Sequence, residues 1–234
     1  MSNDEELEDS AGTEILPTST PQEGVLDTVA ALVAATPILG GAISSTLSGM
    51  AADRRFERVR GVILDLESRL DDLSAEQGDY IRSEDFEDLF RETLRRVENE
   101  RNEAKRHLYR DFLLGTIHDP GGDYDERLRI LRALEQLQPD HFAVLRAIDQ
   151  PPGPEEDESV LAGSRMSTLR RRLPTMENEH LDDLVTELGD LRITSGTLGG
   201  MVTGPSAVEL RPLITQFGHR LLEFIREPDD ETDT

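Results

Sequence analysis

From Phe56 onward the apolar positions recur at spacings of three and four: Phe56, Val59, Ile63, Leu66, Leu70 and Leu73. That spacing keeps one stripe of a helix apolar, and it predicts a helix from about Arg54 into "LSAEQ", ended by Gly78-Asp79. The seam is too short for a free-standing coiled coil, so it points to packing within a bundle or against a second copy of the chain. A second helix is expected from Ser83, an N-cap residue with Glu84 and Asp85 in the following turn, to about Ile117. Its buried side would carry Phe86, Phe90, Leu94, Val97, Ala104, Leu108 and Phe112. Its middle, "RRVENERNEAKRH", reads as an exposed stretch with Glu92–Arg96 and Glu98–Arg101 at helical pairing distances. "HDPGGD" ends that helix, and "DYDERLRILRALEQL" predicts a short amphipathic one.

Beyond Gln138 the elements shorten. "QPDHFAVLRAID" predicts a compact helix, "PPGPEEDE" a loop and "SVLAGSRMSTLRRRL" another helix. "NEHLDDLVTELGDLRIT" predicts a helix with Leu181, Leu184, Val185 and Leu188 inward, turned by Gly189 into the apolar pair Leu191 and Ile193. A Gly-rich stretch, "SGTLGGMVTGPSA", leads to the closing "VELRPLITQFGHRLLEFI". The run Ile214, Thr215, Gly218, Leu221 and Leu222 resembles the ending of winged-helix domains, where a wing strand passes into a helix. The resemblance implies three helices, a small β-hairpin with a Gly turn, and a last helix capped by Thr215. More widely, the interrupted uncharged segment, the "DRR" start at Asp53 and "NEAKRHLYRDFLLGTI" look like a widespread group of uncharacterised prokaryotic helical proteins. That resemblance implies architecture and no activity.

Residues 28–52, "TVAALVAATPILGGAISSTLSGMAA", contain no charge. The run is long enough to cross a bilayer core. Gly40, Gly41, Ser44 and Ser45 offer the small-residue spacing that lets helices approach closely in membranes. Against a span, the run lacks aromatic anchors, is rich in Ala, Gly, Ser and Thr, and is split by Pro37 and Gly40-Gly41. Three readings stand: short helices buried in the core, a single span, or a hairpin that inserts conditionally.

Composition changes the picture through charge. The chain has 49 acidic against 25 basic residues, a formal charge of −24, and Lys105 is its one lysine. Abundant Asp and Glu, arginine for nearly every cation and no cysteine fit a proteome adapted to high salt, where screening relieves self-repulsion. The lack of cysteine excludes disulfides, thiolate metal sites and cysteine nucleophiles. The acidic start has no secretory-signal character, and the cytoplasm, or the inner face of the cell membrane, is the expected location. The five histidines show no paired metal-ligand spacing, and His118-Asp119 falls on a helix-ending loop that collects such residues. No catalytic residue, metal, cofactor or small-molecule ligand is expected.

Nucleic acid demands a basic surface. Candidate contacts are Arg165, Arg170, Arg171 and Arg172, with Arg192 further on. Three adjacent arginines cannot share one helix face, and a helix end whose last turn favours cations explains them as well. The next helix, which would meet the groove, carries Glu177, Glu179, Asp182, Asp183, Glu187 and Asp190. DNA is disfavoured. The sequence therefore predicts a mainly α chain: a disordered acidic tail (1–24), the uncharged segment (25–52), a helical bundle (53–137), a winged-helix-like domain with a small β-hairpin (138–227) and a second acidic tail (228–234). The expected function is a non-enzymatic protein-interaction or regulatory protein acting through the winged-helix-like domain and the Phe56–Leu73 self-association seam, with a second copy of the chain among its protein partners. The alternatives are a membrane-associated effector using residues 28–52 and a DNA-binding regulator.

Overall fold

The computed structural model describes residues 33, 36, 38–47, 54–70, 73–153, 163–195, 201–202 and 208–225. Both acidic tails, Pro37, most of the segment 25–52 and most of the Gly-rich stretch lie outside the described residues.

Within them the chain is mainly helical: α1 (Gly40–Leu47), α2 (Arg54–Glu67), α3 (Ala75–Ile81), α4 (Glu84–Asn99), α5 (Glu103–His118), α6 (Tyr124–Gln136), α7 (Pro139–Asp149), α8 (Arg165–Arg172), α9 (Asn178–Asp190) and α10 (Gln216–Phe224). Six of the starts have a side-chain cap. Ser74 and Gln77 form a reciprocal capping box, and Ser83 accepts the Phe86 N–H at 3.2 Å. Asn102, Asp123, Ser164 and Thr215 cap α5, α6, α8 and α10 in the same way. Such a cap satisfies N–H groups that the first helical turn leaves unpaired, worth about 1 kcal/mol each.

Phe56, Val59, Val62, Ile63 and Leu66 of α2 are buried, and α2 packs against α4 and α5. Leu70 is buried below them and Leu73 packs partly buried against the same cluster. The seam is therefore closed by the chain's own helices. Packing within the bundle, one of the two uses expected for the seam, accounts for the burial of these side chains. The core continues without a break from Leu39 to Ile225, across the boundary expected near residue 137. Gly115 of α5 makes this possible: a Cβ there would lie 2.9 Å from the Phe224 carbonyl, so α10 meets α5 almost backbone to backbone. Arg220 secures α10 with bonds to Asp119 (3.1 Å), Glu126 (3.2 Å) and Glu223 (2.9 Å).

One buried charge cluster joins α2 to α5. Arg110, 3% exposed, donates to Asp111 through Nε at 2.7 Å and through Nη1 to Asp65. Burial works against the Asp65 carboxylate, but the hydrogen bond and charge of Arg110, with Arg69 beside it, hold its pKa below the usual value.

Two expected helices end elsewhere. The first stops at Glu67, and Gly78-Asp79 lies inside α3, whose capping box starts a new helix at Ser74. The second is broken at residues 100–102, because Asn102 caps a fresh helix. The break rotates the face that follows, so Ala104 is exposed and Lys105 is buried.

The winged-helix-like domain with its β-hairpin is not upheld. Among the described residues the pairing is a two-residue ladder of β1 (Gly163–Ser164) with β2 (Met201–Val202), plus a single bridge between Thr194 and Ile214. β1 precedes α8, so the ladder ties distant segments and is not a hairpin of successive strands. Local chemistry explains the loss. Leu191 and Arg192 form a turn, with Arg192 in the left-handed region (φ 57°), and Arg211–Leu213 is a 3-10 turn around Pro212, which has no N–H for a ladder. Thr215 does cap the closing helix, accepting the Gly218 N–H at 3.0 Å.

Candidate functional site

The α4–α5 break opens a cleft of about 350 Å³, lined by Glu92, Arg95, Arg96, Asn99, Glu100, Lys105, Tyr109 and Glu135. It lies where the last turn of α4, the first turns of α5 and the end of α6 converge. Arg95, Arg96 and Lys105 face Glu92, Glu100 and Glu135, so the lining is formally neutral within a strongly acidic protein.

Arg96 is held between Glu92 and Glu135. Its guanidinium reaches Glu135 Oε2 at 3.0 and 3.1 Å, and Glu92 Oε1 at 2.8 Å and carbonyl at 2.9 Å. Burial opposes that cation, but hydrogen bonds and charges from Glu92 and Glu135 outweigh it and raise its pKa. In return the hydrogen bond from Arg96, with the charges of both arginines, keeps Glu92 below the usual carboxylate range despite burial.

Lys105 is the opposite case. It is 5% exposed, donates to the Glu135 carbonyl at 2.8 Å, and has the Glu100 carboxylate at 3.9 Å, beyond hydrogen-bond reach. An ammonium has three donors, so two remain without a described acceptor. Burial lowers the Lys105 pKa, and the nearby Glu100 and Glu135 offset this only in part. Tyr109, one turn on and 2% exposed, lines the same cleft and its hydroxyl makes no hydrogen bond to a described residue. Burial pushes its pKa up to about 12, with Arg96 pulling down and Glu100 and Glu135 adding to the rise.

The Tyr109 shift has a testable sign. A phenol whose folded pKa exceeds its unfolded value near 10 leaves stability intact below pH 10. Stability is then lost as pH rises towards 12, by about 2–3 kcal/mol in all. Denaturant titrations from pH 9 to 12 should show wild type losing that increment relative to Tyr109→Phe. Parallel curves would refute the assignment.

The residues expected to act from sequence lie elsewhere. Thr36, Leu39, Ala42 and Ile43 are core residues, and α1 packs against α4. Glu67 holds this segment, its carboxylate accepting the Ile38 N–H at 2.9 Å and the Leu39 N–H at 3.2 Å. Gly40 is buried and Gly41 exposed, Ser44 and Ser45 fall within α1, and Pro37 lies outside the described residues. Among the described residues no helix is long and apolar enough to cross a membrane. With eight residues, α1 spans about 12 Å, well short of a hydrocarbon core of about 30 Å.

The arginines of α8 are committed to the fold. Arg170 chelates Asp182 at 2.9 and 3.0 Å, Arg171 donates to Thr168, and Arg172 binds the carbonyls of Ala147, Gln150 and Val208. Arg165 is half-buried at the start of α8 and Arg192 is exposed in its turn. They form no shared surface with the cleft. His141 is buried, accepting the Gln138 N–H at Nδ1 and donating from Nε2 to Glu187 at 2.9 Å.

Sequence reasoning passed over Lys105, Tyr109 and Glu135 as binding residues. The available signal was that, with arginine used for every other cation, one position kept an amine. Comparison of the chain with protein-family models, curated protein sequences and solved structures finds no match.

Proposed function

We propose that this chain is a non-enzymatic binding protein of the interaction or regulatory class, working in a high-salt cytoplasm, with its recognition site in the α4–α5–α6 cleft. The observation that carries this reading is the buried Lys105 ammonium lining the cleft, with a single hydrogen bond to the Glu135 carbonyl and Glu100 at 3.9 Å, beside Tyr109, whose hydroxyl has no hydrogen-bond partner among the described residues. An ammonium has three donors and a phenol one, so both have donors left over for oxygens that a ligand brings into the cleft.

Thermal melting of Lys105→Met tests this. Methionine keeps the length of the side chain and removes the buried charge, so a lysine retained for binding should leave stability within about 1 kcal/mol of wild type, or raise it. A loss of about 3 kcal/mol or more would make Lys105 a structural strut for the end of α6 and end the reading.

A further inference from the structure

Arg127 of α6 is 1% exposed, and Tyr80 near the end of α3 is 8% exposed. The guanidinium lies over the Tyr80 ring, 4.5 Å from its centroid, and donates through Nη2 to the Asp119 carbonyl. No described carboxylate lies within 4 Å of it. Its Nε–H and the Tyr80 hydroxyl are both shut away from solvent without a hydrogen-bond partner among the described residues. We propose that Arg127 and Tyr80 bind a chloride ion, held beside the turn between α5 and α6 as the counter-ion of Arg127. This site is separate from the α4–α5–α6 cleft and does not depend on it.

Both orphan atoms are donors. A guanidinium has no acceptor, and burial raises the Tyr80 pKa against the pull of Arg127, so the phenol keeps its proton. Two neighbouring donors, one of them cationic, call for an anion. A charge buried without a partner strongly destabilises a fold, and this cation has no carboxylate of its own in a chain with 49 acidic residues. The Asp119 carboxylate, in the same turn, is taken by Arg220 at 3.1 Å. Gly122 keeps the edge of the guanidinium clear: a Cβ there would lie 2.9 Å from Nη2 and 3.1 Å from Nε. Its backbone is not in the left-handed region that would otherwise call for glycine. Burial this complete admits a monatomic ion and shuts out a phosphate or a carboxylic acid. Chloride is the abundant one in the high-salt setting that the composition fits.

The experiment is urea unfolding of the full chain at constant high ionic strength, with glutamate exchanged stepwise for chloride. Above the dissociation constant, the unfolding equilibrium constant should fall about tenfold for each tenfold rise in chloride. Arg127→Met should show no such dependence. Tyr80→Phe, which keeps the ring under Arg127, should need about threefold more chloride for the same effect, and it decides the case if Arg127→Met fails to fold. Crystals grown in bromide should show one anomalous peak in contact with Arg127 Nε and the Tyr80 hydroxyl. A water or nothing at that point overturns the proposal. So does a bromide peak with a chloride response that Tyr80→Phe leaves unchanged, which would mark an adventitious ion only.

Discussion

Gly218→Ala is expected to destabilise the protein by about 3 kcal/mol or more, lowering the melting temperature by roughly 6–12 °C. Helix propensity alone argues the reverse, since alanine in a helix is favoured over glycine by about 1 kcal/mol. The difference lies in one contact. A Cβ at Gly218 would lie 2.3 Å from the Ile193 carbonyl oxygen and 2.7 Å from Ile214 Cγ2. The carbonyl cannot retreat freely, because it accepts the Thr215 N–H and hydroxyl, each at 3.0 Å. Relief must move α10 or break its cap. Gly61 is the matched control: it lies on the exposed side of α2 with nothing within 4 Å of its Cβ position, and Gly61→Ala should gain up to about 1 kcal/mol. Equal effects from the two substitutions, read by denaturant unfolding, would contradict the packing of α10 on the 193–194 segment.

Arg110→Met should cost about 3–5 kcal/mol, the usual result of removing one member of a buried ion cluster. Asp111, 8% exposed in its side chain, loses the guanidinium that solvates it. Asp65 loses its principal partner. Much of the loss comes from the Asp111 carboxylate, buried and deprived of its cation, so adding Asp111→Leu to Arg110→Met should recover at least about 2 kcal/mol. The acid limb carries a second signature. The Asp65 contribution, with its folded pKa lowered, is present above the unfolded value of 3.8 and is lost as pH falls through the folded one. Arg110→Met should therefore move the acid-unfolding midpoint to higher pH. A single substitution costing under about 1 kcal/mol would show that the cluster is not held as described.

The regular helices were legible because their causes are local. The seam of α2 reads directly from Phe56 to Leu66, and the Leu181, Leu184 and Leu188 side of α9 from its spacing. Whether the seam met a second copy or the chain's own α4 and α5 was not legible, since an apolar stripe does not name its partner. The end of the Ser83 helix was missed because residues 99–102 combine a helix-compatible pattern with an asparagine able to cap, and only tertiary packing decides which use wins. That miss hid the cleft: on a continuous helix Ala104 would be inside and Lys105 in water. The wing failed for a related reason. Its sequence signature rests on Thr215 and Gly218, which cap and pack α10 whatever precedes them, so the ending survives without the hairpin. Buried cations are equally silent in the pattern: Arg110 and Arg127 read as surface residues and are almost fully buried.

The claim most exposed to measurement is that Lys105 is buried in a ligand-accepting cleft, and the chain allows an unusually clean test. With one lysine, protein grown on lysine carrying ¹³C at Cε gives a single methylene correlation. Its chemical shift would be followed from pH 7 to 12. The account predicts a midpoint below the ordinary 10.5. A midpoint at or above 10.5 would mean that Lys105 stands in water and that the cleft is not the site.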